Sequence, residues 1–210
     1  MELYHSTQFE LTNLFLDKYL GGVLVDFSGV RDIAPLLRVR VPESEILDRW
    51  SHCPHSEQFG LGKLSRWEFA ERFVRDWNID LSPEDFLPMY RSWSRGLFPG
   101  AAELLASLRP RFRLAALSNS NELHWERNSN ELGVTGLFEV AISSHQIGIC
   151  KPDPRMYLAA LDRLGVLPGA VMFFDDVPAN VEAASALGIH AFRVVGVEGV
   201  QARLISERLL

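Results

Sequence analysis

The chain is short of several things at once, and each shortage excludes a class of protein. Two cysteines in 210 residues, Cys53 and Cys150, are too few and too far apart for a disulfide framework, so both read as reduced, packed thiols. No apolar run approaches the ~20 residues needed to cross a bilayer. The first twenty residues scatter Glu2, Glu10 and Asp17 among apolar positions, which is not the basic-then-apolar order of a signal peptide. A cytoplasmic protein without a membrane partner is the expectation. Positive charge is scarce too: 21 Lys and Arg face 27 Asp and Glu, a net charge of -6. That argues against nucleic acid as a partner, because phosphate backbones require clustered cations. There is no internal repeat, low-complexity tract or long linker.

What is present is a sharp alternation of apolar runs and helical patterns. Val171-Met-Phe-Phe174 ends abruptly in Asp175 and Asp176, and a helix pattern follows. A buried strand that delivers two carboxylates to its carboxyl end is costly unless a cation sits there. Val23-Leu-Val25 is a second short apolar run, ending at Asp26 before the turn-like Ser28-Gly29. Arg113 to Leu117 reads as a strand ending at Ser118-Asn119, Phe138 to Ile142 as another, and His190 to Val195 as the last. Helices are expected at about 101–109, over the face Met156, Tyr157, Ala160, Leu161 and Leu164 with Gly165 at its end, and from Val181 to Leu187. Residues 31 to 97 lack a strand pattern and carry N-cap signatures at Ser65-Arg-Trp-Glu68 and Ser82-Pro-Glu-Asp85.

Strands alternating with helices predict an α/β fold, a mostly parallel sheet in a Rossmann-like three-layer core, with a small helical cap inserted after the first strand. The boundaries expected are 1–20 for an amino-terminal extension, 21–30 and 98–210 for the core, and 31–97 for the cap. In such sheets ligands bind beyond the carboxyl ends of the strands. Three expected strand ends carry polar groups: Asp26, Ser118-Asn119 and Asp175-Asp176. Three carboxylates together must bind a metal or shift their pKa values. Oxygen ligands suit Mg²⁺. Lys151, in Cys150-Lys-Pro-Asp-Pro154, could compensate carboxylates and phosphate oxygens.

The ordered set Asp26-Phe-Ser-Gly-Val30, Leu117-Ser-Asn119, Lys151-Pro152 and Phe174-Asp-Asp176 resembles the haloacid dehalogenase superfamily of phosphohydrolases over about residues 22 to 196. The flanks Phe98-Pro-Gly100 and Asn180-Val-Glu-Ala-Ala184 look familial as well. The subgroup it looks most like holds glucose-1-phosphate phosphatase and the amino-terminal phosphatase domain of mammalian soluble epoxide hydrolase. The resemblance implies an Mg²⁺-dependent phosphatase acting on a small phosphorylated metabolite such as a sugar phosphate, as a monomer or homodimer. By that resemblance Asp26 would attack phosphorus, forming an aspartyl-phosphate. Ser118, Asn119 and Lys151 would hold the phosphoryl group. Asp26, Asp175, Asp176 and the backbone carbonyl of Ser28 would surround the metal.

Ser28 departs from the pattern, because most phosphatases of the family carry there a second Asp that protonates the leaving group. Three readings stay open: a phosphatase for good leaving groups, a proton supplied by Asp32, His124 or His145, or a weak or inactive relative that binds a phosphorylated ligand. Dehalogenation is disfavoured by the full Asp175-Asp176 pair. In the cap, His52, His55, Phe59, Lys63 and Trp67 are candidates to face the substrate, and Phe59-Gly-Leu-Gly62 to form a flexible loop near it.

Overall fold

The computed structural model describes residues 22–210 and the backbone of residues 13–17. Five parallel strands, β1 (Asn13–Asp17), β2 (Arg113–Ser118), β3 (Val140–Ser143), β4 (Val171–Asp175) and β5 (His190–Arg193), form one sheet in the order β3-β2-β1-β4-β5. Eleven α-helices are described. In chain order they are α1 (Gly29–Ile33), α2 (Glu43–Ser51), α3 (Pro54–Gly60), α4 (Arg66–Asp76), α5 (Pro83–Ser92), α6 (Ala101–Leu108), α7 (Glu122–Glu126), α8 (Ser144–Ile147), α9 (Pro154–Leu164), α10 (Pro178–Ala186) and α11 (Gly196–Ser206).

The strand period of two splits β4 between the faces of the sheet. Met172 and Phe174 pack with Leu104, Leu105 and Leu108 of α6 and with Val200 and Leu204 of α11. Val171 and Phe173 pack with Met156, Tyr157, Ala160 and Leu161 of α9 and with Ala184 of α10. Helix, sheet and helix thus make the three layers expected. A third, separate cluster fills the cap. There Phe59 stacks on Phe69 at 4.4 Å, and Phe73, Phe86, Tyr90 and Trp50 surround them. The cap helices start where the sequence signals them: Ser65 forms a full capping box with Glu68, and the Ser82 hydroxyl accepts from the Asp85 amide.

The first strand is the main correction. It lies at Asn13–Asp17, inside what reads in sequence as an amino-terminal extension, and it is the central strand of the sheet. Residues 1–12 and 18–20 of that expected extension lie outside the described residues. Val23–Val25, expected as the strand, is buried but joins no strand of the sheet; Val25 makes an isolated antiparallel bridge with Leu97. Two apolar triplets, Leu14-Phe-Leu16 and Val23-Leu-Val25, each run into an Asp, and local patterning does not tell a central strand from a buried connector.

Candidate functional site

The strand order fixes where a site can form. From β1 the chain moves outward to β2 and β3, then returns to β4 on the other side of β1. The carboxyl ends on either side of that reversal are where an open parallel sheet binds ligands. Asp17 ends β1, with its Cα paired to Leu117, and Ser118 ends β2 one residue later. Leu16 pairs with Phe174, so β4 delivers Asp175 and Asp176 at the same edge.

Asp175 is fully buried, and both of its oxygens accept hydrogen bonds. Its Oδ2 accepts from Lys151 Nζ at 3.1 Å and from Asn180 Nδ2 at 2.8 Å, and its Oδ1 accepts from the Val177 amide at 2.8 Å. Lys151 is just as buried, and its Nζ also donates to the Leu117 carbonyl at 3.0 Å. Burial pushes the lysine pKa down, while Asp175 and then Asp176 oppose the shift. The Lys151 backbone is clamped in turn by Asn119, whose Oδ1 accepts from the Lys151 amide at 2.7 Å and whose Nδ2 donates to the Lys151 carbonyl at 2.9 Å. Asn119, Lys151, Asp175 and Asn180 therefore form one connected unit, with Ser118 next to Asn119 at the end of β2.

Asp176 is different. Its Oδ1 is buried with no hydrogen-bond partner among the described residues, and burial followed by the charge of Asp175 holds its carboxyl above the usual carboxylate range. Gly22 lies directly against this carboxylate, where any Cβ would collide with it. An orphaned acidic oxygen beside a second carboxylate, at a strand end, fits a hard divalent cation.

Asp26 does not join this cluster. Among the described residues, no three His, Cys, Asp or Glu side chains converge as metal ligands. Asp26 instead pairs with Arg31 at 3.0 Å, and its backbone zips to the far side of the cap insertion through its amide to Gly96 O and its carbonyl to the Arg95 amide. Ser28 serves as the N-cap of α1: its hydroxyl accepts from the Arg31 amide and its carbonyl from the Asp32 amide. The connector carrying both residues leads into the cap rather than out of a sheet strand, which removes the reason for assigning them to the metal and to the attack on phosphorus.

The three candidate proton donors are also committed elsewhere. Asp32 is held by Arg95 at 2.8 Å. His124 is buried against Phe27 and Tyr90, its ring nitrogens 2.7 Å from the Tyr90 carbonyl and 3.0 Å from Asn121 Nδ2. His145 Nδ1 lies 2.6 Å from Ser143 Oγ.

A cleft of about 290 Å³ opens beside the unit, between cap and core. Its core wall includes Asn119, Cys150, Lys151, Val177 and Asn180; its cap wall includes Trp50, Cys53, Ser56, Glu57, Gly60 and Leu61. Of the five cap residues expected to face substrate, none is among those lining this cleft. His52 and Lys63 point to solvent, Trp67 is half exposed, His55 Nε2 lies 2.6 Å from Asp76 Oδ2, and Phe59 sits in the cap core. The Phe59–Gly62 loop does reach the site, through Gly60 and Leu61. It is docked rather than loose: the Gly60 carbonyl lies 2.6 Å from Ser144 Oγ, and Gly62, at φ +68°, sits where a Cβ would come within 2.5 Å of the His145 carbonyl.

Asn180, which the resemblance marks only within a flanking stretch and not as a site residue, joins the unit from the first turn of α10 through its bond to Asp175. Gly22 carried no signal in the sequence, because its role depends on where Asp176 points.

The comparisons agree with this architecture. The chain is 29% identical over 181 residues to a phosphatase of Mycobacterium tuberculosis, covering 82% of this chain and 83% of that protein. It is 33% identical over 184 residues to acyl-CoA dehydrogenase family member 10 of Mus musculus, covering 83% of this chain but only 17% of that protein. An (S)-2-haloacid dehalogenase of Burkholderia cepacia is 32% identical over 98 residues, 46% of this chain and 42% of its own. Among solved structures, a Bacteroides thetaiotaomicron enzyme crystallised with magnesium and inorganic phosphate superposes with a TM-score of 0.71 at 23% identity, covering 88% of this chain and 94% of that one; this likeness bears on the fold alone. No described helix is long and apolar enough to cross a membrane. Residues 20–188 match the family model of haloacid dehalogenase-like hydrolases, and the chain belongs to that family of hydrolytic enzymes.

Proposed function

We propose that the chain is an Mg²⁺-dependent phosphatase of a small phosphorylated metabolite, and that Asp17 rather than Asp26 is its attacking carboxylate. The observation that carries this reading is the sheet edge itself: β1, β2 and β4 end side by side in Asp17, Ser118 and Asp175-Asp176, next to a buried lysine. The family match begins at residue 20, beyond β1, so the role of Asp17 rests on topology and not on that match.

In this reading the Asp17 carboxylate attacks phosphorus and the bond from phosphorus to the ester oxygen breaks, releasing the alcohol and leaving an aspartyl-phosphate. Water then attacks that phosphorus, the bond to the Asp17 oxygen breaks, and inorganic phosphate departs. The Ser118 hydroxyl and the Asn119 backbone amide hold phosphoryl oxygens, and Lys151 keeps positive charge beside them. Asp176, with Asp175, would hold the metal, which when bound offsets negative charge on the transferring group. The residue two places beyond Asp17 in sequence is Tyr19, not a carboxylic acid. A phenol with an ordinary pKa of about 10 protonates a leaving alkoxide poorly, so the reading favours esters whose leaving groups need little protonation.

The test is turnover of a panel of phosphate monoesters, including glucose 1-phosphate and p-nitrophenyl phosphate, in Mg²⁺ and in chelator. Metal-dependent release of phosphate is expected. Its absence from every ester would overturn the enzymatic reading in favour of a protein that only binds a phosphorylated ligand.

A further inference from the structure

The cleft beside the phosphoryl unit has a chemical character of its own. Most of its wall is carbon and sulfur, from Trp50, Leu61, Val177 and Ala179 with the thiols of Cys53 and Cys150. Among the described lining residues Lys151 is the only cation, and its ammonium is held by Asp175 and the Leu117 carbonyl. The only carboxylate in that lining is Glu57, exposed on α3. Its charge reaches across the cleft: after burial, Glu57 is the largest influence pushing the Cys150 thiol up, ahead of Asp153, with Lys63 opposing. Next to it on α3, the Ser56 hydroxyl lines the cleft and is buried with no hydrogen-bond partner among the described residues. A hydroxyl in that state costs stability until a ligand supplies a partner.

We infer, building on the phosphatase reading, that this cleft selects phosphate monoesters whose alcohol part is compact, largely apolar and either neutral or cationic, with a hydrogen-bond donor for Ser56, and that it rejects esters bearing a second anion. A carboxylate or a second phosphate in the leaving group would enter an apolar space with no uncommitted cation among the described lining residues, facing Glu57. An amine or hydroxyl in the same place would meet the Glu57 carboxylate and the Ser56 oxygen. The same chemistry weighs against a 2-haloacid, whose carboxylate would find no arginine among the described lining residues.

The test uses binding rather than turnover, so that leaving-group reactivity plays no part. Three non-hydrolysable phosphonates of similar size, 2-aminoethylphosphonate, propylphosphonate and phosphonoacetate, are titrated calorimetrically into the Mg²⁺-loaded full chain, with inorganic phosphate as reference. The aminoethyl and propyl compounds should each bind about tenfold more tightly than phosphonoacetate, the scale of one partly screened charge contact. Glu57→Lys, an exposed substitution, should invert the order of the aminoethyl and acetate compounds. Ser56→Ala should weaken the aminoethyl compound severalfold and leave the propyl compound unchanged. Equal or tighter binding of phosphonoacetate by the wild type overturns the inference while the phosphatase reading stands. Binding of neither phosphate nor any phosphonate overturns both.

Discussion

Lys151 Nζ donates to Asp175 Oδ2 across 3.1 Å with both side chains wholly out of solvent. Neither charge has water to fall back on, so each is retained only because the other is there. Removing one partner leaves the other unpaired, at a cost of about 3–5 kcal/mol for such pairs. Lys151→Met should therefore lower the stability of the chain by about 3 kcal/mol in urea or guanidinium unfolding. Lys151→Met combined with Asp175→Asn should be less damaged than the single substitution. An unfolding midpoint unmoved by Lys151→Met would show that the pair is not formed.

Asp17 and Asp26 can be separated by activity. Asp17→Asn should reduce kcat by at least about 10⁴-fold if that residue forms the covalent intermediate. Asp26→Asn should leave kcat within about tenfold of wild type, because its loss breaks an exposed contact to Arg31 that is worth little. The opposite ranking would return the attack to Asp26.

Much of this site could be read from the sequence, and the parts that could not share a cause. Ser118, Asn119, Asp175 and Asp176 were recognisable because each ends or follows an unambiguous apolar run, and parallel sheets gather such ends; Lys151 was recognisable from the two prolines that flank it in Lys151-Pro-Asp-Pro154. The caps at Ser65 and Ser82 and the left-handed stop at Gly165 were local signals, and they hold. The first strand was misplaced because two equivalent triplets compete within a dozen residues. Only pairing with Val171–Phe174 on one side and Arg113–Leu117 on the other decides between them. Which cap residues line the cleft was not legible for a similar reason: α3 carries His55, Ser56, Glu57 and Phe59 in close succession, and helix phase alone does not say which of its sides meets the core.

Gly22 offers a probe of the metal site that leaves every carboxylate in place. Gly22→Ala would push a methyl group into the space of the Asp176 carboxylate. The expected result is loss of the rise in melting temperature that Mg²⁺ gives the wild type, with the metal-free protein shifted by no more than a few degrees. A Mg²⁺-induced rise equal to that of the wild type would separate Asp176 from metal binding.

The N-cap of α9 gives a pH signature. Asp153 bonds the Arg155 side chain and then its amide, and its pKa falls to about 2. A carboxylate depressed in the folded state adds stability above its unfolded pKa and loses it as pH falls through the folded one. The gap in unfolding midpoint between wild type and Asp153→Ala should thus be constant above about pH 4 and close progressively towards pH 2. A gap independent of pH over that window would mean that the cap acts without its charge.

The bridge between Val25 and Leu97 has an architectural consequence. With Asp26 bonded to Gly96 and Arg95, and Leu24 to Phe98, the two ends of some seventy intervening residues stand one hydrogen bond apart. The cap hangs from the core by a two-stranded stalk and keeps an aromatic interior of its own. It is tied to the core again where Gly60 meets Ser144 and where Tyr90 meets His124, but its entry and exit stay fixed by the stalk whatever length of chain lies between them. Under the proposed function the strand ends carry the chemistry and the cap the choice of substrate, so the stalk would let the two change at different rates.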